Sequence, residues 1–155
     1  MFNGLENVMT TIAEVMTPDV TVVSPQDTIQ KAAKMMAEWN VGALPVCDGK
    51  KLVGMLTDRD IAIRAVPIGK APADIQVSDI MSKEVRWCFS DQQMGEVLQE
   101  MGAEQVRRIP VMNRNSMELV GIVSLGDFAA RENAHVDKAM QEISTPSAPV
   151  RPAPH

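Results

Sequence analysis

Tyrosine is absent from this sequence, and three phenylalanines and two tryptophans supply all of its aromatic bulk. A unit of about 60 residues so poor in large rings cannot bury enough apolar area alone, so any such unit must share its core with another. Cysteine is equally scarce. Cys47 and Cys88 stand inside apolar, strand-like runs with no CxxC spacing and no neighbouring histidine, which argues against a disulfide or a metal site and for two buried structural thiols. His135 and His155 lack partners at metal-ligand spacing, and twelve methionines falling on helical stripes read as adaptable packing. No metal site is expected.

Other absences narrow the function. No nucleophile–base pair and no phosphate loop of the GxxxxGK[ST] type can be found, so no catalytic residue and no obligatory cofactor is expected: the chain does not read as an enzyme. No apolar run approaches the roughly 20 residues of a membrane span, and Met1–Thr10 lacks the basic start and apolar centre of a signal peptide. A cytoplasmic protein without a membrane partner is the expectation. Fifteen basic residues against twenty acidic ones leave a net charge of −5, which disfavours nucleic acid as a partner. With 45% hydrophobic and 23% charged residues, the composition is that of an ordinary globular chain.

What is present is a duplication. Gly54–Asp60, reading GMLTDRD, returns as Gly121–Asp127, reading GIVSLGD. Upstream, Val15-Met16-Thr17 matches Ile80-Met81-Ser82, and Leu44-Pro45-Val46 matches Ile109-Pro110-Val111, both at a spacing of 65. The spacing becomes 67 after a turn, Asp48-Gly49-Lys50-Lys51, that is two residues shorter than its counterpart around Asn113–Met117. Turns are where a duplication tolerates length changes.

Each copy opens on a short helical turn: Thr11-Ile12-Ala13-Glu14 has capping-box spacing, and Gln76-Val77-Ser78-Asp79 keeps the acid. Val20–Val23 and Val85–Cys88 read as short strands. Ile29, Ala32, Ala33 and Met36 share a helical face, as do Met94, Val97, Leu98 and Met101, which predicts helices over Thr28–Trp39 and Gln93–Glu104. Leu44–Cys47 with Leu52–Leu56, and Ile109–Met112 with Leu119–Val123, predict a hairpin in each copy. A last helix starts at the hydroxyl, its apolar face formed by Ile61, Ala62 and Ala65 in one copy and by Phe128, Ala129 and Val136 in the other. The expected fold class is α+β, two β-α-β-β-α repeats about a pseudo-twofold axis. The expected organisation is an arm over 1–10, a first repeat over 11–66, a connector over 67–75 and a second repeat over 76–136. A C-terminal extension over 137–155 ends in the proline-rich STPSAPVRPAPH, which reads as disordered.

Thr57-x-x-Asp60 and Ser124-x-x-Asp127 admit two readings. A hydroxyl followed three residues later by an acid at a helix start is a capping motif. The same hydroxyl can donate to a phosphate, and an ionised aspartate can accept the hydroxyls of a ribose. The two uses are compatible.

The ordered motifs VMTPDVTVVSP, NVGALPV and GMLTDRDI, then IMSKEVRWCFS, QVRRIPV and GIVSLGDF, resemble a tandem pair of cystathionine β-synthase (CBS) domains, the Bateman module, over roughly Thr11–His135. The likeness is to small stand-alone bacterial members. It implies a regulatory protein of signal transduction and energy sensing that binds AMP, ADP or ATP in the cleft between repeats. NAD(H) and S-adenosylmethionine are alternatives, as is an interaction module that binds no ligand. By the same resemblance Asp60 and Asp127 bind ribose, and Thr57 and Ser124 lie on the phosphate side. The site centred on Asp127 would add Thr17, Val22, Val41, Gly42 and Ala43 around the base, with Arg107 and Arg108 at the phosphates. The site centred on Asp60 would use Ser82, Trp87, Val106 and Arg107, with Arg59 and Arg64 on its phosphate side. Trp87 either stacks on adenine or fills the core, and Trp39, off the apolar stripe, reads as a half-exposed contact. A homodimer formed through the helices and an unidentified downstream protein are the implied partners.

Overall fold

Capping chemistry starts the regular segments where the sequence places it. The computed structural model describes residues 10–130, 141 and 143. The first segment, α1 (Ile12–Val15), begins at Thr11, whose N–H donates to Glu14 Oε2 at 2.8 Å. After β1 (Thr17–Pro18) comes α2 (Ile29–Trp39), where Thr28 Oγ1 accepts the Lys31 N–H at 3.1 Å. A hairpin follows, β2 (Ala43–Asp48) and β3 (Lys51–Thr57), and then α3 (Asp58–Asp60). The α3 helix widens into a π-helical turn over Ile61–Ala65 and tightens into a 3₁₀ turn over Val66–Ile68. A 3₁₀ turn, Pro72–Asp74, leads to α4 (Val77–Ile80) and β4 (Cys88–Phe89). The last segments are α5 (Met94–Glu104), β5 (Arg108–Met112), β6 (Leu119–Ser124) and α6 (Leu125–Ala129). This is an α+β fold.

The chain divides into two compact units, and their boundaries are not those of the sequence repeat. One unit joins the residues up to Pro18 to Trp87–Arg114 and to the chain from Val120 onward; the other holds Asp19–Arg86 with Asn115–Leu119. The opening turn of each repeat has therefore changed sides. Ile12, from the first repeat, is fully buried with Met94, Val97, Met101, Val111 and Phe128 of the second. Val77 and Ile80, from the second, are buried with Ile29, Ala32, Leu44, Val46 and Leu56 of the first. Ile75 of the connector is buried with them. The shortage of aromatic bulk is met by this exchange of apolar side chains, each worth roughly 1.5–3 kcal/mol when fully buried.

The two units contain the same sheet in different states of completion. In one, the strand order is β1-β6-β5-β4, with β1 antiparallel to β6 and β4 parallel to β5. In the other, the β2–β3 hairpin forms the sheet, and its outer neighbours are reduced to single bridges: Ser82 antiparallel to Met55 and Val23 parallel to Val46. The expected strand over Val20–Val23 is therefore not formed beyond Val23, and the expected Val85–Cys88 strand is displaced to Cys88–Phe89. These segments pair on one side only, and Asp19 at φ 54° turns the chain after Pro18, so β-branched content is not sufficient for pairing.

Two further expectations need correction. Ala33 is exposed, whereas Leu98 at the same phase of α5 is buried, because one methyl adds little apolar area at the border of the stripe. Ala62 is exposed too, since the π-helical turn changes the angular step and brings Ala65 inward. The arm over 1–9, Val136, both histidines and the proline-rich tail lie outside the described residues.

Gly54 and Gly121 mark where the exchanged segments cross a strand. A Cβ at 121 would lie 2.8 Å from the Thr17 carbonyl oxygen and 2.6 Å from Met16 Sδ. At 54 it would lie 2.7 Å from the Ser82 carbonyl oxygen and 2.9 Å from Met81 Sδ. Only a residue without a side chain permits this approach. Gly54→Ala and Gly121→Ala should each lower stability by about 1–3 kcal/mol in urea unfolding, the usual cost of overpacking; unchanged midpoints would show that the crossing segments yield freely.

Cys47 and Cys88 are buried free thiols. Burial pushes Cys47 from 9.0 up to about 11, and burial together with the charge of Glu100 pushes Cys88 up to about 12. The unfolded thiols ionise near 9, so this contribution is complete below that pH and is lost as pH rises toward 11–12. The expected outcome is no thiol labelling of the folded chain at pH 8, complete labelling in denaturant, and a stability that declines above pH 9. Rapid labelling without denaturant would contradict it.

Candidate functional site

Each hairpin ends on a hydroxyl that becomes the cap of the next helix, and the cap is reciprocal in both units. Thr57 N–H donates to Asp60 Oδ2 at 2.9 Å, and Asp60 N–H donates back to Thr57 Oγ1 at 3.0 Å. In the other unit Ser124 N–H and Oγ donate to Asp127 Oδ2 at 2.8 and 3.2 Å, while the Asp127 N–H reaches Ser124 Oγ at 3.4 Å. Capping therefore uses one carboxylate oxygen and leaves the other. Asp60 Oδ1 faces Arg64 Nε at 3.8 Å, and that guanidinium also donates from Nη1 to the Ile80 carbonyl at 3.3 Å. Asp127 Oδ1 accepts no hydrogen bond among the described residues. Asp60, 7% exposed, is the one buried charged side chain among them.

The exchange of opening turns brings residues of both repeats to each cap. Thr17 of β1 lies opposite Ile122, two residues before Ser124 on β6. Ser82 is bridged to Met55, two residues before Thr57, with reciprocal backbone hydrogen bonds of 2.9 Å. Arg107 stands beside the Asp127 cap, its carbonyl accepting the Leu125 N–H at 3.0 Å, and exposed Arg108 opens β5. Gly42 holds the equivalent place at the Asp60 cap: its carbonyl accepts the Asp58 N–H at 2.9 Å, and Ala43 opens β2 opposite Thr57. Val41, 39% exposed, precedes them. Val22, Val41, Gly42 and Ala43, which the sequence groups with Asp127, belong to the unit of Asp60. Val106 and Trp87, grouped with Asp60, belong to the unit of Asp127, and Val106 packs against that unit's core. Arg59 and Arg64 both follow Thr57, largely exposed.

Trp87 does not fill a core. The residue is 40% exposed, and its ring stands edge-on to Phe89, with centroids 4.8 Å apart and planes at 74°. Phe89 in turn lies under Arg114, 4.0 Å from ring centroid to guanidinium, and Arg114 forms a bidentate pair with Asp91 at 2.8 and 2.9 Å. Those hydrogen bonds hold the Asp91 carboxyl below its usual range. Trp39 is 61% exposed. No group of three or more His, Cys, Asp or Glu able to hold a metal occurs among the described residues.

One residue at these caps escapes sequence reasoning. Asp58 turns its carboxylate toward Gly42, so that a Cβ at 42 would lie 3.0 Å from Asp58 Oδ2. The signal was available in the comparison of copies, because the position equivalent to Asp58 is Leu125, which is buried.

The CBS-domain family model matches residues 12–66 and 77–133. The chain belongs to the CBS-domain family. It is 41% identical over 138 residues to the CBS domain-containing protein YhcV of Bacillus subtilis, spanning 88% of this chain and 96% of that protein. Among solved structures it is similar to Hypoxic Response Protein I with two coordinated zinc ions, at 37% identity and TM-score 0.70, covering 79% of this chain and 98% of the other. It is also similar to the CBS pair of MJ0100 in complex with 5′-methylthioadenosine and S-adenosyl-L-methionine, at 26% identity and TM-score 0.67, covering 78% and 98%. A CBS pair is a regulatory module of the signal-transduction type. No helix among the described residues is long and apolar enough to cross a membrane.

The caps themselves are testable without a ligand. Thr57→Ala and Ser124→Ala each remove the side-chain acceptor of one reciprocal cap and should cost about 1 kcal/mol in thermal or urea unfolding. A loss below a few tenths would mean that the backbone alone fixes the helix start.

Proposed function

We propose that this CBS pair is a sensor of adenosine nucleotides, AMP, ADP or ATP, that binds the ribose at Asp60 and Asp127 and couples occupancy to a partner protein. The observation that carries the reading is the division of labour within each carboxylate. Oδ2 satisfies the helix start, while Oδ1 of Asp127 is uncommitted among the described residues and Oδ1 of Asp60 has only a long contact to Arg64. An ionised oxygen so placed accepts a ribose hydroxyl without breaking the cap, and such charge-assisted bonds are worth about 1.5–3 kcal/mol each. Thr57 and Ser124 lie toward the 5′ substituent, with Arg107 and Arg108 as the basic groups for phosphate beside Asp127; beside Asp60 only Arg59 is left for that role, since Arg64 is turned to Asp60 Oδ1 and the Ile80 carbonyl. The exposed face of Trp87 suits stacking on a base.

The MJ0100 pair supports the class of ligand, since methylthioadenosine and S-adenosylmethionine share their adenosine with AMP and ATP. Sensing requires that the ligand prefer one conformation, and a tenfold preference corresponds to about 1.4 kcal/mol. A homodimer and a cytoplasmic location complete the proposal. Calorimetry with AMP, ADP, ATP, NAD and S-adenosylmethionine is the test, with AMP or ATP expected to bind at millimolar concentration or below. Asp127→Asn keeps an oxygen for the cap but loses the charge, and should weaken nucleotide binding about tenfold or more. Absence of binding by AMP, ATP and NAD at millimolar concentration would overturn the proposal.

A further inference from the structure

The two caps have the same hydroxyl and the same aspartate, yet they are surrounded by different charge. At the Asp127 cap the two residues entering the strand are Arg107 and Arg108, and the two following the hydroxyl are Leu125 and Gly126. At the Asp60 cap the equivalent residues are Gly42 and Ala43, then Asp58 and Arg59. Four matched positions thus carry two positive charges at one cap and none in sum at the other. The difference is built into the packing. In one unit the missing side chain of Gly42 leaves the space toward which the Asp58 carboxylate turns. In the other, Leu125 is buried in one core with Phe128 and Val123, and Arg107, whose carbonyl accepts the Leu125 N–H, is exposed. Arg64 does not restore the balance, because its guanidinium is directed to Asp60 Oδ1 and the Ile80 carbonyl.

We infer that the two caps differ in ligand class: the Asp127 cap selects adenosine ligands with an anionic 5′ group, and the Asp60 cap favours those whose 5′ substituent is uncharged or cationic. The inference rests on the ribose-binding reading above and adds the 5′ specificity of each cap. Like charge near a phosphate is unfavourable and opposite charge favourable over several ångströms, and a difference of two charges suffices for a change of tenfold or more in relative affinity. One chain can then report two kinds of adenosine compound at once.

AMP and adenosine differ only by the 5′-phosphate and are the probes. Calorimetry on Asp60→Asn reads the Asp127 cap, and calorimetry on Asp127→Asn reads the Asp60 cap. AMP is expected to bind at least tenfold more tightly than adenosine at the first, with that preference reduced at least tenfold at the second. Adding Asp58→Asn to Asp127→Asn, a change at an exposed side chain, should shift the ratio several-fold toward AMP and leave adenosine unaltered. Equal ratios at both caps, or a ratio that ignores Asp58→Asn, would overturn the inference while leaving nucleotide binding intact. Failure of the unaltered chain to bind either probe would overturn both.

Discussion

Two backbone crossings hold this architecture together. At Gly121 the chain around Met16 and Thr17 passes at a distance that leaves no room for a Cβ, and at Gly54 the chain around Met81 and Ser82 does the same. This contact joins the repeats within a unit together with backbone hydrogen bonds from the opening turns, Ile12 N–H to the Gln92 carbonyl and Val77 N–H to the Asp27 carbonyl. It seats Ile12 in one core and Val77 and Ile80 in the other, and it supplies one outer partner of each sheet, β1 beside β6 and Ser82 beside Met55. A methyl group at either glycine would push the crossing segment off the strand and with it the apolar side chains that the small cores require.

The crossing also makes composite caps. Thr17 comes from the first repeat and Ser124 with Asp127 from the second, yet all three belong to one compact unit; Ser82, Thr57 and Asp60 repeat the arrangement. A carboxylate has two oxygens, and the protein uses one for its own stability. The reciprocal cap fixes the carboxylate in advance, so that the ribose binding proposed above would require little ordering of the group. In that proposal stability and recognition share a residue without competing for the same atom.

Much of this was legible in the sequence because it depends on local chemistry. The helices over Ile29–Trp39 and Met94–Glu104, the hairpins, and the hydroxyl–aspartate caps are encoded by apolar period and by side chains three residues apart, and they occur where those signals place them. The edge segments were less legible: Val20–Val23 has strand composition but pairs only at Val23, since pairing depends on a neighbour that local sequence does not specify. Ala62 departs from its apolar phase for a similar reason, as a π-helical turn leaves no mark in the apolar spacing. The charge around the caps is half legible. Arg107 and Arg108 were visible as basic residues, but the role of Asp58 appears only when its carboxylate is seen against Gly42.

By itself the sequence determined that the chain is a duplicated α+β module with a hydroxyl and an aspartate closing each hairpin, because these features rest on periodicity, spacing and caps acting within a few residues. The tertiary structure alone decided which half owns each opening turn, which residues of the two repeats meet at a cap, and which oxygen of each aspartate is left over. The first two depend on contacts between residues distant in the chain, as between Thr17 and Ile122 or Ser82 and Met55, which only the folded path of the backbone brings within bonding distance, and the third depends on which oxygen turns toward the cap once the strand and helix are in place.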